Sequence, residues 1–376
     1  MELYVSVYIA LIVLSIIEIT FTKQNSQSVV TVRKASFKIP LTYAGVFIVL
    51  YYILSLRKFT GTDTYVYYRM FNITSLQSDI EEGFRWLMQI TQNFGGDFFE
   101  FEKVVALVTL IPIMLTIYYF SPFPLYSSLI FFSAGCYFGL FNTMRQGVAL
   151  GLTFFSLTFL LFSAKNFYVR WSIALPIILV STLFHTTAFF IIFELILIIL
   201  FRKCLEKNPN TVWFFYALIC GTFVTKIDLL QIIFRLATSI PIGDFANKYI
   251  SLYGGSNYLS NNSSGVLLIN FFLILILFII NFPRISESKV ALNIAAILGV
   301  YLILLSTRNG AQLYTRIIYY MDILLVVIFP VMLKDSFKHK QYVYLTIFVQ
   351  IMYILFNFLR MILLNYNGIM PYGIEY

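Results

Sequence analysis

Long apolar stretches separated by short polar ones run along most of the chain. A helix needs roughly 20 mostly apolar residues to cross the hydrocarbon core of a bilayer. About twelve stretches approach that length, at 3–21, 40–57, 103–120, 123–141, 145–163, 169–184, 187–201, 211–225, 265–282, 289–306, 315–333 and 341–362. The pattern therefore predicts an all-α, polytopic membrane helix bundle.

Composition agrees with this class of protein. Of the 376 residues, 60% are hydrophobic and 11% are charged, whereas a soluble domain is nearer a quarter charged. The first stretch, "MELYVSVYIALIVLSIIEITF", has no basic start and no small-residue cleavage site, so we expect a retained span rather than a signal peptide. We expect a single integral membrane domain over 1–376.

The basic residues predict the orientation. Cytoplasmic loops are enriched in Lys and Arg, and loop 22–39 and every second loop after it are basic. This places the N-terminus outside, with 58–102 and 226–264 as extracytoplasmic segments. It also explains most of the net charge of +9 without a nucleic-acid partner. The cytoplasmic loops are short and hold no glycine-rich phosphate loop, so we expect no nucleotide cofactor.

Both outer segments contain an amphipathic pattern. Apolar positions recur at helical spacing in 79–94, and again over 229–237. We expect both helices to lie along the outer membrane surface. The first segment also holds seven acids. Asp79, Glu81, Glu100 and Glu102 are interpreted as solubilising residues. Asp63, close to a span end and beside tyrosines, and Glu82 are candidate catalytic carboxylates.

Arg145 lies in "FGLFNTMRQGVALGL", at the predicted outer start of a span. A helix N-terminus offers unpaired amides and partial positive charge, which suit a phosphate. Arginine is under-represented on the outer side, and the polar Gln146 follows it directly. We therefore favour a phosphate-binding role for both residues. The alternative is an arginine that reaches lipid headgroups.

His185 lies in "STLFHTTAFF", at the outer junction of two spans. A neutral imidazole can accept a hydroxyl proton near neutral pH, which makes His185 a candidate general base. The alternative is a structural histidine bonded to Thr186 and Thr187. The second histidine, His339, belongs to a cytoplasmic basic loop and is interpreted as a surface group.

Further arginines lie at the outer ends of spans, at Arg308, Arg316 and Arg360. Together with Arg145 they could neutralise a diphosphate without a metal ion. Two acids, Glu194 and Asp322, fall inside predicted spans and are functional candidates or helix-pairing groups. The three cysteines, which are far apart, show no metal spacing.

Six motifs together resemble a known family. They are "GTDTYVYYRMF", "EEGFRWL", "FNTMRQGVALGL", "FHTTAFF", "YTRIIYYMDILLVVIFP" and "NYNGIMPY". In this order they are similar to the EpsG-like, Wzy-type bacterial polysaccharide polymerases, from about residue 57 onward. At matching positions the resemblance points to Asp63, Tyr67, Glu82, Gly83, Arg145, Gln146, His185, Arg316, Pro371 and Tyr372. Arg308 has no match and is a candidate by position alone.

The resemblance implies an enzyme of exopolysaccharide, capsule or O-antigen synthesis in the bacterial cytoplasmic membrane, with its active site outside. The implied reaction joins repeat units carried on undecaprenyl diphosphate, and the fold is expected to be similar to that of glycosyltransferases with lipid-linked donors. Chain-length regulators and flippases are the expected protein partners. On this reading, Arg145, Gln146, Arg316, Tyr67 and Tyr372 bind the donor, and His185, Asp63 or Glu82 activates the acceptor. Arg308 is added to the donor-binding residues by its position alone.

Two other functions fit the same residues. A flippase for the lipid-linked unit would need polar groups through the membrane midplane, whereas most unusual polar residues here lie outside. A ligase of the O-antigen type would use the same arginine and histidine chemistry on a different acceptor. The residues alone do not separate a ligase from a polymerase.

Overall fold

The structure is a computed structural model that describes residues 1–23, 39–78, 80–208, 210, 265–306, 312–338 and 340–373. Every regular element in these ranges is a helix, which confirms the predicted all-helical class. In chain order the α-helices are α1 Glu2–Lys23, α2 Leu41–Ser55, α3 Thr64–Asn72, α4 Glu82–Asn93, α5 Phe98–Phe120, α6 Pro124–Ser133, α7 Cys136–Gly139, α8 Met144–Phe162, α9 Phe167–Thr182, α10 Phe190–Lys207, α11 Gly265–Asn281, α12 Lys289–Ser306, α13 Gln312–Asp322, α14 Leu325–Ser336 and α15 Lys340–Leu363. Short 3₁₀ helices occupy Thr74–Gln77, Thr186–Phe189 and Phe282–Arg284.

Six helices in the described ranges are long and apolar enough to cross a membrane: Glu2–Thr22, Phe98–Phe120, Met144–Phe162, Lys289–Ser306, Thr315–Ser336 and Tyr342–Leu363. Each coincides with one of the predicted spans. Four other predicted spans fall on shorter apolar helices. The run 123–141, for example, is divided at Gly135. The φ of this residue is +90°, which lies outside the range of a right-handed α-helix, so the helix ends there. The predicted span 187–201 falls on α10, which is not among these helices, and the run 211–225 lies outside the described residues. The predicted count of twelve is therefore not confirmed.

The chain forms two compact units. Unit 1 consists of Met1–Ile191 and Asp322–Tyr376, and unit 2 of Ile192–Met321. In unit 1, α5 packs against α2 and α8, α8 packs against α9, and α6 packs against α1 and α14. In unit 2, α11 packs against α12. Unit 1 contains most of the residues singled out by the sequence.

The amphipathic helix predicted at 79–94 is present as α4, Glu82–Asn93. Its buried positions include Phe84, Leu87 and Met88, as the pattern predicts. This face packs against α5, where the Phe84 and Phe101 ring centroids are 5.3 Å apart. Protein therefore covers at least part of the apolar side of α4, and a position flat on the membrane surface is not confirmed. The second predicted amphipathic helix, within 226–264, lies outside the described residues.

A buried ion pair joins the end of α2 to the start of α5. Arg57 Nε lies 3.2 Å from Glu102 Oε1, and the two side chains are 3% and 0% exposed. Arg57 Nη1 also donates to the Leu140 carbonyl oxygen, 3.1 Å away, in the turn that precedes α8. The interpretation of Glu102 as a solubilising acid is therefore wrong, because its carboxylate neutralises a buried arginine.

Candidate active site

Glu81 joins the two most prominent sequence candidates, Arg145 and His185. Its Oε2 accepts a hydrogen bond from Arg145 Nη1 at 2.5 Å, and its Oε1 lies 3.0 Å from His185 Nδ1. The three side chains belong to three separate parts of unit 1. Glu81 directly precedes α4, Arg145 lies in the first turn of α8, and His185 lies in the link after α9. A single carboxylate therefore holds a cation and an imidazole in fixed relative positions.

The cluster is largely shielded from solvent. The side chains of Glu81, Arg145 and His185 are 12%, 22% and 7% exposed. The Thr186 amide also donates to Glu81 Oε1, at 3.3 Å. Tyr67, on α3, is buried and interacts electrostatically with the Arg145 guanidinium. In such a setting, ionic and hydrogen-bonded interactions are stronger than they are in water.

Gly83 allows α4 to approach the histidine segment closely. Its amide donates to the Leu183 carbonyl oxygen at 2.8 Å. A Cβ atom at this position would lie 2.9 Å from that oxygen and 3.1 Å from Leu183 Cβ. Only glycine fits this contact without a shift, and the contact brings Glu81, two residues earlier, to His185, two residues after Leu183.

Replacing Gly83 with alanine is expected to push α4 away from the His185 segment. Overpacking of this kind costs about 1–3 kcal/mol, so we expect a lower unfolding temperature together with reduced turnover. Gly45→Ala in α2 is the matched control, because a Cβ at Gly45 meets nothing within 4 Å. Equal behaviour of the two variants in thermal unfolding and activity would contradict the role given to Gly83.

The Glu81 carboxyl stays ionised in this environment. Burial, the largest single influence, raises its pKa, but the His185 hydrogen bond and the Arg145 charge together outweigh burial. The result is a pKa lowered from 4.5 to about 2. An ionised carboxylate can only accept hydrogen bonds, so the proton of this bond lies on His185 Nδ1. In a neutral imidazole the opposite nitrogen, Nε2, is then the basic one.

This lowered pKa predicts a contribution to stability that depends on pH. A group whose folded pKa is depressed stabilises the fold above its unfolded pKa, and that contribution is lost as pH falls through the folded value. For Glu81 the window runs from about 4.5 down to about 2. We expect the unfolding temperature of the detergent-solubilised protein to fall less between pH 5 and pH 3 in Glu81→Gln than in the unmodified chain. Identical falls in the two proteins would contradict this ion pairing.

Asp63 and Tyr67 lie one helical turn apart at the start of α3. Residues at this spacing share a helix face, and Tyr67 is buried against Arg145. Asp63 is exposed, and its Oδ1 accepts a hydrogen bond from the Thr62 hydroxyl at 3.1 Å. The structure therefore joins Tyr67 to the cluster and leaves Asp63 open to solvent beside it.

Gln146 is 3% exposed and follows Arg145 in the first turn of α8. Glu82 begins α4 with an exposed side chain. The carboxylate that pairs with Arg145 and His185 is thus that of its neighbour, Glu81. The interpretation of Glu81 as a solubilising residue is wrong, since its charge is used inside the cluster.

The remaining predicted site residues are Tyr372, Arg316 and Arg308. The Tyr372 hydroxyl donates to the Ile53 carbonyl oxygen at 3.0 Å, and burial raises its pKa to about 12. The contact between Tyr372 and substrate stays a prediction. Arg316 belongs to unit 2, so its meeting with Arg145 also stays a prediction. Arg308 lies outside the described residues.

Comparison with known proteins identifies one family. A family model described as the EpsG family matches residues 41–374. Neither the curated proteins nor the solved structures include a match to this chain. The matched region contains Glu81, Arg145 and His185.

Proposed function

Because the chain belongs to the EpsG family, we propose that it is a polysaccharide polymerase of the bacterial cytoplasmic membrane that joins repeat units carried on undecaprenyl diphosphate. The donor is the growing glycan on one lipid diphosphate, and the acceptor is one repeat unit on another. The observation that carries this proposal is the contact of one ionised carboxylate, Glu81, with both Arg145 and His185. It combines an anion-binding group and a potential base in one cluster.

The roles follow from the chemistry of glycosyl transfer. An acceptor hydroxyl oxygen forms a bond to the anomeric carbon of the donor, and the bond from that carbon to the diphosphate oxygen breaks. The electron pair leaves with the diphosphate. His185 Nε2 takes the hydroxyl proton and returns it to solvent, while Glu81 holds the ring and stabilises the imidazolium.

Arg145 is assigned to the departing diphosphate. Glu81 binds one guanidinium nitrogen, Nη1, and a guanidinium has five N–H donors in a rigid fork. Arg145 Nε is buried and bonds no other described residue. The remaining N–H groups of the guanidinium can therefore donate hydrogen bonds to phosphate oxygens, whose geometry they match. With such a cation available, we propose that no metal ion is needed, and that Arg316 adds a second cation.

The proposed orientation follows from the basic loops. It places the N-terminus and the active site on the extracytoplasmic side, where lipid-linked units are polymerised and nucleotide sugars are absent. Asp63, Tyr67, Gln146 and Tyr372 are proposed to contact the sugars or the diphosphate. Membrane lipids surround the bundle, and a flippase and a chain-length regulator are the proposed partners.

Purified protein in liposomes, supplied with lipid-linked repeat units, tests this function. A ladder of products that forms equally well in the presence of a metal chelator is the expected result. A single transfer to a different acceptor would indicate a ligase. Movement of the lipid across the bilayer without new glycosidic bonds would indicate a flippase. Either of the last two results would overturn the proposal.

A further inference from the structure

Residues 365–373, here called the strap, fold back onto two turns of unit 1. The first is the turn before α3. The Gly61 amide donates to the Gly368 carbonyl oxygen at 3.1 Å, and the Gly373 amide donates to Thr60 Oγ1 at 2.7 Å. Thr60 Oγ1 in turn lies 3.4 Å from the Pro371 carbonyl oxygen. The strap therefore bonds this turn at three points.

The second turn is the one before α8. Asn142 Nδ2 donates to the Asn367 carbonyl oxygen at 2.9 Å, and Asn142 is 8% exposed. The two turns also touch each other, because a Cβ atom on Gly61 would lie 2.7 Å from Asn142 Oδ1. One short segment thus bonds both turns where they meet.

The strap is itself held in shape. Asn365 Nδ2 donates to the Met370 carbonyl oxygen at 2.8 Å, and the Met370 amide donates back to Asn365 Oδ1 at 2.9 Å. The Tyr4 hydroxyl of α1 donates to the Ile369 carbonyl oxygen at 2.9 Å. At its start, the Arg360 guanidinium lies 4.1 Å from the Tyr366 ring centroid. These bonds hold the strap in one defined conformation.

The two turns lead directly into the candidate active site. Asp63 and Tyr67 follow Gly61 by two and six residues, and Arg145 follows Asn142 by three residues. Tyr67 and Arg145 contact each other. A change in the separation of the two turns would therefore displace the tyrosine relative to the arginine.

We propose that the strap is a positioning element, which ties the turn before α3 to the turn before α8 and thereby sets the geometry of Arg145. This inference rests on the proposed function, because turnover is one of its readouts. Tyr372 belongs to the strap and is proposed to contact substrate, but the positioning role depends only on the bonds that join the strap to the two turns. A misplacement of about 1 Å in an active site can cost about 100-fold in rate.

The first test ends the chain after Leu364, which removes the strap. The matched control ends the chain after Gly373 and keeps it. Removal of the strap is expected to lower kcat by about 100-fold. Because it also removes Tyr372, the variant Tyr372→Phe in the full chain, which should lower kcat much less, separates the proposed substrate contact of Tyr372 from the positioning role. Hydrogen exchange should rise in peptides from both turns, and the control should resemble the full chain in every measurement.

A pair of point variants covers the case in which the shortened chain fails to fold. Gly368 and Gly373 both have positive φ, +61° and +77°, so alanine strains the backbone at either position. A Cβ at Gly368 would lie 3.1 Å from Thr62 Cγ2, whereas a Cβ at Gly373 meets nothing within 4 Å. We expect Gly368→Ala to lower kcat by about tenfold more than Gly373→Ala.

A double-mutant cycle that combines strap removal with Arg145→Lys shows whether the strap acts through Arg145. Groups that act on one interaction give non-additive effects, so strap removal should cost less in Arg145→Lys than in the unmodified chain. Unchanged turnover without the strap would overturn the inference. Reduced turnover with unchanged exchange in both turns would overturn it too. If the unmodified protein makes no polymer, the proposed function fails, and hydrogen exchange alone decides whether the strap ties the turns.

Discussion

Glu81→Gln is expected to lower the rate of polymer formation by about 10²- to 10³-fold, the largest effect of any conservative substitution in the cluster. Glutamine keeps the size of the side chain and removes its charge. His185 would lose the anion that holds its Nδ1 proton and stabilises the imidazolium. Arg145 would lose the partner that lies 2.5 Å away.

Turnover by the reconstituted protein, measured with lipid-linked repeat units, checks this expectation. Glu100→Gln is the matched control, because Glu100 belongs to the same segment and pairs with Lys103 in an exposed position. Exposed pairs contribute little to stability, so the control should keep normal turnover. Equal turnover in both variants would show that Glu81 is a structural residue only.

Arg145→Ala is expected to abolish polymer while single repeat units continue to accumulate on their lipid. The substitution removes the proposed diphosphate contact and leaves the Glu81 carboxylate with one cationic partner fewer. Arg145→Lys keeps the charge but not the planar fork, so we expect partial activity at a bidentate site. Glycan length on gels from cells that carry each variant provides the measurement.

Arg69→Ala is the control for the arginine variants, since Arg69 is an exposed residue in the last turn of α3. Normal polymer length is expected in this variant. Normal polymer length in Arg145→Ala would instead show that Arg145 does not bind the diphosphate and that its contact with Glu81 is a structural ion pair.

Local signals in the sequence were sufficient to find Arg145 and His185. Each is a polar residue between apolar runs, and the cost of placing charge near hydrocarbon makes such residues conspicuous. The buried face of α4 was also predictable, since helical periodicity marks it. These are properties of short segments.

The partner of both residues could not be found in this way. Glu81 lies 64 residues from Arg145 and 104 residues from His185, and no spacing rule connects positions so far apart. Beside Glu82 it resembles an ordinary surface acid. The one available signal was Gly83, since a glycine at the start of an amphipathic helix can mark close backbone contact.

The number of spans was less predictable than the helical class. Hydropathy detects an apolar run but not a turn inside it, as at Gly135. The strap illustrates the same limit, because the strap itself contributes only backbone groups to its hydrogen bonds with Thr60, Gly61 and Asn142. Backbone hydrogen bonding of this kind leaves little trace in the identity of side chains.

The proposed roles of Arg145, His185 and Glu81 are tested most directly by a structure of the protein in lipid with an undecaprenyl-diphosphate-linked glycan bound. Phosphate oxygens are expected within hydrogen-bond distance of the Arg145 guanidinium. The acceptor hydroxyl is expected to face His185 Nε2, with Glu81 between the two side chains. A diphosphate bound away from Arg145, with the Glu81 cluster closed to the substrate, would contradict these roles.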